Sequence, residues 1–218
     1  MRSAEPIPVV VFARAPRPGR TKTRLVPMLG GDGAARLHRA MLEDVLATIA
    51  SAPGLVAELW CPPEDLDALP GARVQRGPDI GARMSHALAD ALDRAPAALL
   101  VGSDLPTLPT APLLAAASVL REDRSDVVLG PSADGGFYMI GARGDAPRLG
   151  PGVRWSTAHA LADTRARLAP RRVAMVRPWY DVDTPEDLRL LRAHLALAPE
   201  AAPRTTAVLV DFDRVPGA

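Results

Sequence analysis

Short apolar segments alternate with amphipathic helical segments along most of this sequence, and this alternation restricts the fold more than any other feature. Residues 9–12 and 97–101 are continuous apolar runs, which are typical of strands buried on both faces of a parallel sheet. Between them, apolar side chains recur every four residues in a helix predicted over 33–51. The alternation predicts right-handed crossovers and a mostly parallel central sheet, in layers of helix, sheet and helix.

The same patterns place the remaining elements. Further strands are predicted at 55–60, 73–76, 127–129, 137–140 and from 173 to about 182, and further helices at 80–94, 112–120 and 157–168. The last predicted helix begins with a capping signature at Thr184, Pro185 and Asp187. Residues 198–206, rich in Ala and Pro, are predicted to be a linker, and the segment after them an added edge strand or a loose tail. We therefore expect one domain over 1–197 and a linker and tail over 198–218.

Charge and cysteine content exclude several classes of function. The 26 basic and 25 acidic residues leave a net charge of +1, so no overall field favours nucleic acid or an anionic membrane as a partner. The single cysteine, Cys61, excludes an internal disulfide framework and a cysteine-based zinc site. The apolar run at 7–12 is too short to span a membrane, and it is followed by arginines rather than by the small-residue cleavage site of a secretion signal. These features predict a cytoplasmic protein and carry no signal for an oligomeric state.

The loop after the first strand is strongly basic. Residues 14–24, RAPRPGRTKTR, hold five cations and no acid. The side chains of Arg14, Arg20, Lys22 and Arg24 match the charge of a diphosphate or triphosphate, and backbone amides in such a turn can form an anion-binding nest. The loop is not a Walker motif, because Arg17 replaces the glycine that such a motif requires. A solvated basic loop is the alternative.

Lys22 is the single lysine among the 26 basic residues. A compact ammonium in a chain of planar guanidinium groups indicates a place that requires a point charge, as around phosphates. A lysine left by chance in an arginine-biased chain is the alternative. We predict that Lys22→Ala abolishes nucleotide binding without unfolding the chain, because a loop cation contributes little to the core.

Three aspartates are candidate metal ligands. Asp104 directly follows the apolar run 97–101 and could hold Mg²⁺ or Mn²⁺, with substrate phosphates supplying further oxygens. Asp181 and Asp183 alternate along a predicted strand end, so only one of them is expected to face the same cleft. The alternative is that Asp104 caps the following turn and that Asp183 is held by the next helix start.

The segment Asp134-Gly135-Gly136 separates two predicted strands. Consecutive glycines allow a ligand to approach the backbone closely, and Asp134 could orient or deprotonate a hydroxyl group. The nearby aromatic residues Tyr138 and Trp155 suit a ring-bearing substrate. A tight hairpin turn with aromatic core residues is the alternative. The four histidines, His38, His86, His159 and His194, show no metal-ligand spacing and are predicted to be structural or exposed.

Several ordered sequence blocks resemble a known family, the small bacterial glycosyltransferases associated with radical-SAM and arsenosugar gene clusters. The resemblance runs from about residue 9 to 195. The blocks are FARAPRPGRTKTRL at 12–25, LHRAMLEDVL at 37–46, DIGARM at 79–84, GSDLPTL at 102–108, GPSADGGFYMIG at 130–141, RWST at 154–157 and DVDTPEDL at 181–188. The resemblance implies a GT-A type nucleotide-diphospho-sugar transferase, a single Rossmann-like α/β/α sandwich.

The resemblance also implies residue roles. Arg14, Gly19, Lys22 and Arg24 would form the nucleotide phosphate loop, and Gly81 and Arg83 would border the nucleotide. Asp104 would be the metal aspartate, with Asp181 or Asp183 beside it, and Asp134–Gly136 would face the sugar or acceptor. The DxD metal motif typical of many such enzymes is here Asp104-Leu105-Pro106, with one acid missing.

A second resemblance leaves the reaction open. KTRL, AMLEDVL and the DLP turn are also similar to phospholactate guanylyltransferases and other small nucleotidyltransferases, which attack the α-phosphate of an NTP. ADGGFYMIG departs from that pattern and favours sugar transfer. We therefore expect a metal-assisted glycosyltransferase that uses a nucleotide-diphospho-sugar and a small-molecule acceptor. Nucleotidyl transfer from an NTP with pyrophosphate release is the alternative, and a non-catalytic nucleotide-sugar binding module is a third possibility.

Overall fold

The computed structural model describes residues 5–214 of the chain. The strands are β1 (Ile7–Phe12), β2 (Leu55–Cys61), β3 (Arg73–Val74), β4 (Ala97–Gly102), β5 (Val127–Pro131), β6 (Phe137–Arg143) and β7 (Val173–Met175). The helices are α1 (Val26–Ser51), α2 (Ile80–Leu92), α3 (Thr110–Arg121), α4 (Ala160–Arg167), α5 (Pro185–Leu197) and α6 (Pro203–Arg214). Helix α1 begins earlier than the predicted residue 33 and is broken at Gly30, whose φ of 69° is not helical.

The strands form one seven-stranded sheet in the order β3-β2-β1-β4-β6-β5-β7. Strands β1 to β4 pair in parallel, and β7 pairs in parallel with β5. Strand β6 runs antiparallel to both of its neighbours, β4 and β5. This architecture confirms the predicted α/β fold with a mostly parallel central sheet.

The core lies on both faces of the central strands. Side chains of β1 and β4 alternate between two apolar clusters: Val9 and Val11 pack with α1 and α3, and Val10 packs with α2. Residues 7–11 of β1 and 97–101 of β4 are buried. The apolar runs therefore form strands covered on both faces, as predicted.

A third apolar cluster joins α1, α5 and α6. Leu37 and Met41 of α1 pack there with Leu191 of α5 and Leu209 of α6. The C-terminal segment therefore differs from both predictions for it, because 203–214 forms a helix rather than an edge strand or a loose tail, and 199–201 forms a short 3₁₀ turn rather than a linker. A repeat of apolar side chains facing α1 gives this helix its packing surface.

The late strand is shorter than predicted. Strand β7 ends at Met175, whereas the sequence pattern predicts a strand ending near Val182. Beyond it, Trp179 makes an isolated parallel bridge with Ser132. Pro178 has no backbone N–H to donate to a ladder, which explains why regular pairing stops here.

Within residues 5–214, no helix combines the length and the apolar character required to cross a bilayer.

Candidate functional site

The carboxyl ends of β1 and β4 open onto one large cavity. Because β6 runs antiparallel between β4 and β5, the 132–136 turn that joins β5 to β6 lies at this same edge of the sheet. The cavity has a volume of about 540 Å³, which is within the range for small-molecule sites. The residues that line it are Phe12, Ala13, Arg14, Arg20, Thr21, Lys22, Thr23, Arg24, His38, Pro62, Gln75, Ile80, Arg83, Ser103, Asp104 and Asp183.

Lys22 is the centre of the polar contacts in this cavity. Its Nζ lies 2.6 Å from Oδ1 of Asp104, 2.6 Å from Oδ1 of Asp183 and 2.7 Å from the carbonyl oxygen of Val182. The ammonium donates hydrogen bonds to Asp183 and to the Val182 carbonyl oxygen, and its contact with Asp104 is an ion pair outside hydrogen-bond geometry. The Lys22 side chain is only 5% exposed, so the predicted phosphate-binding lysine is an internal cation shared by two carboxylates.

Burial and charge act in opposite directions on this cluster. Burial alone would lower the pKa of the Lys22 ammonium, but the nearby charges of Asp104 and Asp183 raise it above 10.5. Burial alone would raise the pKa of Asp104, but the charge of Lys22, together with the nearby His38, holds it well below its ordinary value of 3.8. Lys22 and Asp104 are therefore both charged at neutral pH.

The backbone holds the cluster in place. The amide of Val182 donates to the carbonyl oxygen of Asp104 over 3.0 Å, which joins the loop after β4 to the segment before α5. Asp187 accepts hydrogen bonds from the amides of Asp183 and Thr184 as part of the capping box of α5, so the predicted capping signature also positions Asp183. Lys22 itself has a left-handed backbone, with φ of 50°, which a lysine adopts only where its surroundings impose it.

The basic loop is anchored by a buried carboxylate. Asp65 accepts hydrogen bonds from the amide of Ala15 and from Nε of Arg17, and the Thr21 hydroxyl donates to the carbonyl oxygen of Ala15. Arg17 therefore faces the protein, where it also contacts Asp67. The predicted phosphate-binding residues Arg14, Arg20 and Arg24 line the cavity and are exposed.

His38 is a site residue that sequence reasoning did not identify. It is buried on α1, its Nε2 lies 3.0 Å from the carbonyl oxygen of Arg14, and its Nδ1 lies 3.5 Å from Oδ1 of Asp104. The signal was present in the sequence, because His38 precedes Leu42 and Val45 at helical spacing and so belongs to the apolar stripe that faces the sheet. Gln75 was also missed; it is buried, lines the cavity and donates to the carbonyl oxygen of Trp60.

A second, smaller cavity adjoins the first. Its volume is about 200 Å³, and Ile80 lines both cavities. The residues that line the second cavity are Ile80, Met84, Ser132, Asp134, Gly136, Phe137, Trp155, Ser156, Thr157, Ala160 and Asp181. The predicted substrate residues Asp134, Gly136 and Trp155 are therefore brought together, beside the cavity that holds Lys22 and Asp104.

The two late aspartates separate between the cavities. Asp183 lines the first cavity, and Asp181 lines the second, where it accepts a hydrogen bond from the Ser132 hydroxyl over 3.1 Å. Burial raises the pKa of Asp181, and the negative charges of Asp183 and Asp134 raise it further. The structure thus brings Asp183 to Asp104 and directs Asp181 to the second cavity.

Four predicted site residues line neither cavity. Tyr138 is a core residue, whose ring packs on Gly130 and whose hydroxyl donates to the carbonyl oxygen of Arg177. Gly81 allows Leu149 and Trp155 to pack closely against α2, because a Cβ there would collide with both. Gly135 has φ of 86° and lies against the carbonyl oxygen of Ala158, and Gly19 has φ of 69° in the basic loop. Gly81 and Gly135 therefore allow neighbouring segments to pack closely beside the site, and Gly19 provides a left-handed turn in the basic loop.

Arg83, another predicted site residue, lines the first cavity, and its Nε donates to the carbonyl oxygen of Gly77.

The two aspartates of the first cavity fit a divalent cation whose remaining ligands would be oxygens of a bound substrate. Oδ1 of Asp104 and Oδ1 of Asp183 converge on a single cation, the Lys22 ammonium, and Oδ1 of Asp104 is a buried oxygen without a geometrically satisfactory hydrogen bond. Among the described residues, no group of three or more His, Cys, Asp or Glu side chains forms a metal site on its own. Two carboxylates with phosphate oxygens from a ligand are a common arrangement for Mg²⁺.

Comparison with solved structures identifies proteins with this fold. A protein from Desulfovibrio desulfuricans G20, assigned provisionally as a nucleotide-diphospho-sugar transferase, is 31% identical, with a TM-score of 0.85 and 96% of each chain covered. CMP:2-keto-3-deoxy-manno-octonic acid synthetase in complex with CTP is 16% identical, with a TM-score of 0.57 over 89% of this chain and 99% of that one. The 4-diphosphocytidyl-2C-methyl-D-erythritol synthase of Anaerococcus prevotii DSM 20548 is 15% identical, with a TM-score of 0.57 over 88% and 96%.

These structural neighbours are transferases of the sugar-nucleotide and nucleotidyl types, and the two with low identity bear on the fold alone. No curated protein matches the sequence significantly. The radical-SAM and arsenosugar association stays a prediction. A family profile described as an uncharacterized protein conserved in bacteria, DUF2064, matches residues 42–157, which is just over half of the chain. With this match and the Desulfovibrio relative, the chain belongs to the DUF2064 family.

Proposed function

We propose that the protein is a glycosyltransferase, which transfers a sugar from a nucleotide-diphospho-sugar to a small-molecule acceptor. The observation that carries this proposal is the pair of adjoining cavities with opposite chemical character. The first is lined by five lysine and arginine side chains against two aspartates, both of which contact Lys22. The second is lined by two aspartates, several hydroxyl groups and two aromatic rings, with no lysine, arginine or histidine among the described lining residues. A nucleotide-diphospho-sugar changes in the same way along its length, because its diphosphate is anionic and its sugar is uncharged and rich in hydroxyl groups.

The first cavity supplies the charge that a departing nucleoside diphosphate requires. Arg14, Arg20 and Arg24 extend from the anchored basic loop, and their guanidinium groups can pair with phosphate oxygens in a bidentate manner. Because Asp65 and Thr21 hold the loop before any ligand arrives, little reorganisation accompanies the development of negative charge. Asp104 and Asp183 would hold Mg²⁺ or Mn²⁺, which neutralises charge on the leaving diphosphate when bound.

The second cavity supplies the groups that face the sugar and the acceptor hydroxyl. The Asp134 carboxylate is fixed by the amide of Gly136, which donates to its Oδ1 over 2.8 Å. Its lone pairs can accept the proton or the hydrogen bond of an acceptor hydroxyl. Asp134 is therefore our candidate for orienting or deprotonating the acceptor.

Nucleotidyl transfer is the second candidate function. The basic loop suits a triphosphate as well as a diphosphate, and Lys22 and Arg24 would then stabilise departing pyrophosphate. The two reactions leave different products. Incubation with UDP- and GDP-sugars should release a nucleoside diphosphate if sugar is transferred, whereas incubation with NTPs and phosphorylated acids should release pyrophosphate if nucleotidyl transfer occurs.

The test uses a matched pair of variants. Arg20→Met removes a cavity cation, and Arg165→Met removes an exposed arginine of α4 outside either cavity. We expect Arg20→Met to weaken nucleoside diphosphate binding by about tenfold and Arg165→Met to leave it unchanged. Pyrophosphate release, with no release of nucleoside diphosphate from any sugar donor, would exclude sugar transfer. Tight binding with no product of either kind would identify a non-catalytic binding module.

A further inference from the structure

We propose that the second cavity is a saccharide subsite, which binds an uncharged, hydroxyl-bearing ring and rejects the phosphorylated form of the same ring. The inference deepens the proposed function and rests on it, because it names the class of group that lies beside the nucleotide. It is carried by the charge, the hydrogen-bonding groups and the aromatic surface of the cavity.

The carboxylates of the second cavity can accept hydroxyl hydrogens. Oδ1 of Asp134 accepts from the amide of Gly136, and Oδ1 of Asp181 accepts from the Ser132 hydroxyl. An ionised carboxylate can accept about four hydrogen bonds, so both retain capacity for hydroxyl groups of a ligand. Ser156 and Thr157 add two hydroxyl groups to the same cavity. The polar side of the cavity is therefore rich in acceptors, as recognition of several hydroxyl donors requires.

The apolar side of the cavity is formed by two aromatic rings, those of Phe137 and Trp155. The Phe137 and Trp155 rings lie edge to face, with centroids 6.2 Å apart and planes at 69°, and both line the cavity. Trp155 reaches this position because Gly81 has no side chain to displace it. A saturated ring presents C–H groups to such a surface and hydroxyl groups at its edge. The cavity thus matches a ring with both kinds of surface.

Charge excludes a phosphorylated ring from this cavity. Of the described residues, those that line the second cavity include two aspartates and no lysine, arginine or histidine. A phosphate placed there would face two carboxylates without a compensating cation, and like charges at close range oppose binding strongly. The first cavity, which shares Ile80 with the second, offers a phosphate the exposed side chains of Arg14, Arg20 and Arg24 instead. The volume of about 200 Å³ suits one ring rather than a nucleotide.

Calorimetric titration of the full chain tests the proposal. The ligands are methyl glycosides of the common hexoses, the matching hexose 6-phosphates, and the pairs UDP and UDP-glucose, GDP and GDP-mannose. The variants are Asp134→Asn, Trp155→Leu and, as a control, Asp93→Asn, which changes an exposed aspartate at the end of α2. Circular dichroism shows whether each variant is folded. If Trp155→Leu does not fold, Asp134→Asn still tests the proposal, because the Asp134 side chain is exposed and its replacement should not disturb the core.

With the first cavity filled by saturating UDP, we expect methyl glycosides to bind at least about tenfold more tightly than the matching hexose 6-phosphates. Asp134→Asn should remove about tenfold of the glycoside affinity, which is the effect of weakening one hydrogen bond to a charged group. Affinity for UDP and GDP should not change in the Asp134→Asn variant. Equal binding of a sugar and its phosphate would overturn the proposal. So would a panel in which no sugar group adds affinity, or in which Asp134→Asn and Asp93→Asn behave alike.

The two sources of the ring give different results. If the donor's sugar occupies the subsite, UDP-glucose or GDP-mannose binds more tightly than the free diphosphate, and Asp134→Asn removes this gain. If the acceptor occupies it, a methyl glycoside binds in the presence of saturating nucleotide-sugar. The proposed function can fail while the saccharide subsite is supported. If the unmodified protein binds glycosides but no nucleotide, the transferase proposal is refuted and the subsite proposal is not.

Discussion

The Lys22 ammonium lies 2.6 Å from the Asp104 carboxylate, although the two residues belong to loops that follow different strands, β1 and β4. The contact places a buried cation in the wall of the first cavity. It also changes the expected effect of Lys22 substitutions, because a side chain that neutralises two carboxylates contributes to the stability of the fold. The sequence-based argument that Lys22, as a loop cation, contributes little to the core is therefore replaced by the following prediction.

Replacement of Lys22 by methionine should destabilise the fold. Asp104 and Asp183 would then face each other without their shared cation, and we expect a loss of about 2 kcal/mol, between the values for exposed and for fully buried ion pairs. Thermal unfolding should show a decrease in Tm of about 5 °C for a chain of this size. Mn²⁺ added to the variant should restore part of the loss. An unchanged Tm would show that the Lys22 cluster does not form.

The same loss should depend on pH. The pKa of Asp104 is lowered from 3.8 by folding, so its contribution is present above pH 4 and is lost as the pH falls through the folded-state pKa. The pKa of Lys22 is raised from 10.5, so its contribution is present below that pH and is lost as the pH rises through the raised value. The stability difference between wild type and Lys22→Met should be constant from roughly pH 5 to 9 and decrease in acid. A difference that grows towards low pH would contradict the charge assignment.

The buried carboxylate under the basic loop offers a matched comparison. Asp65 and Asp67 both contact Arg17, but Asp65 is buried and also accepts from the amide of Ala15, whereas the Asp67 side chain is 72% exposed. Asp65→Asn should weaken nucleotide binding by about tenfold and destabilise the fold by about 1–3 kcal/mol, since the loop loses its anchor. Asp67→Asn should change stability by less than about 1 kcal/mol. Binding titrations and urea unfolding of both variants measure the contrast, and equal effects would argue against anchoring by Asp65.

Substitution of Gly81 should affect the second cavity selectively. A Cβ at this position would collide with the Leu149 carbonyl oxygen and with the Trp155 ring, so Gly81→Ala must displace the segment that carries Trp155. We expect a loss of about 1–3 kcal/mol in stability, the usual cost of overpacking. Sugar-dependent binding should be reduced and nucleoside diphosphate binding retained. Gly150→Ala is the control, because its added Cβ would approach only the end of Arg167, at 3.8 Å. Loss of nucleotide affinity in Gly81→Ala alone would instead place Gly81 at the nucleotide.

The C-terminal helix should behave as part of the fold. Leu209 is buried against α1 and α5, whereas its neighbour Val210 is 40% exposed. Leu209→Ala should destabilise the protein by about 2–3 kcal/mol through cavity formation, and Val210→Ala by less than about 0.5 kcal/mol. Chemical unfolding of the two variants provides the measurement. Similar small effects would mean that α6 is not packed in solution.

The parts of the fold that could be predicted from sequence are those with strong local patterns. Strands β1 and β4 consist of uninterrupted apolar runs, and α5 has a capping box, so their positions follow from a few neighbouring residues. The gathering of Lys22 and Asp104 at one edge was also predictable, because parallel strands bring their carboxyl ends to the same side of a sheet.

The parts that could not be predicted depend on contacts between distant segments. Helix α6 follows an Ala- and Pro-rich segment that has no strong helical pattern, and its start is held by buried Asp44 of α1, which accepts from the amides of Arg204 and Thr205. The sharing of Lys22 between Asp104 and Asp183 likewise requires three separate loops to meet. Tyr138 was expected at the substrate because it follows the glycine turn, but the alternation along β6 directs its ring into the core.

The reversed direction of β6 has a consequence for how such a protein can change its specificity. A parallel strand at this position would return through a long crossover, whereas the antiparallel strand needs only residues 132–136 to bring Asp134 to the rim. The basic side chains that we propose to bind phosphates lie on other loops. Exchange of the 132–136 turn could therefore change which acceptor molecule is used. The loops that we propose to bind the nucleoside diphosphate would not need to change.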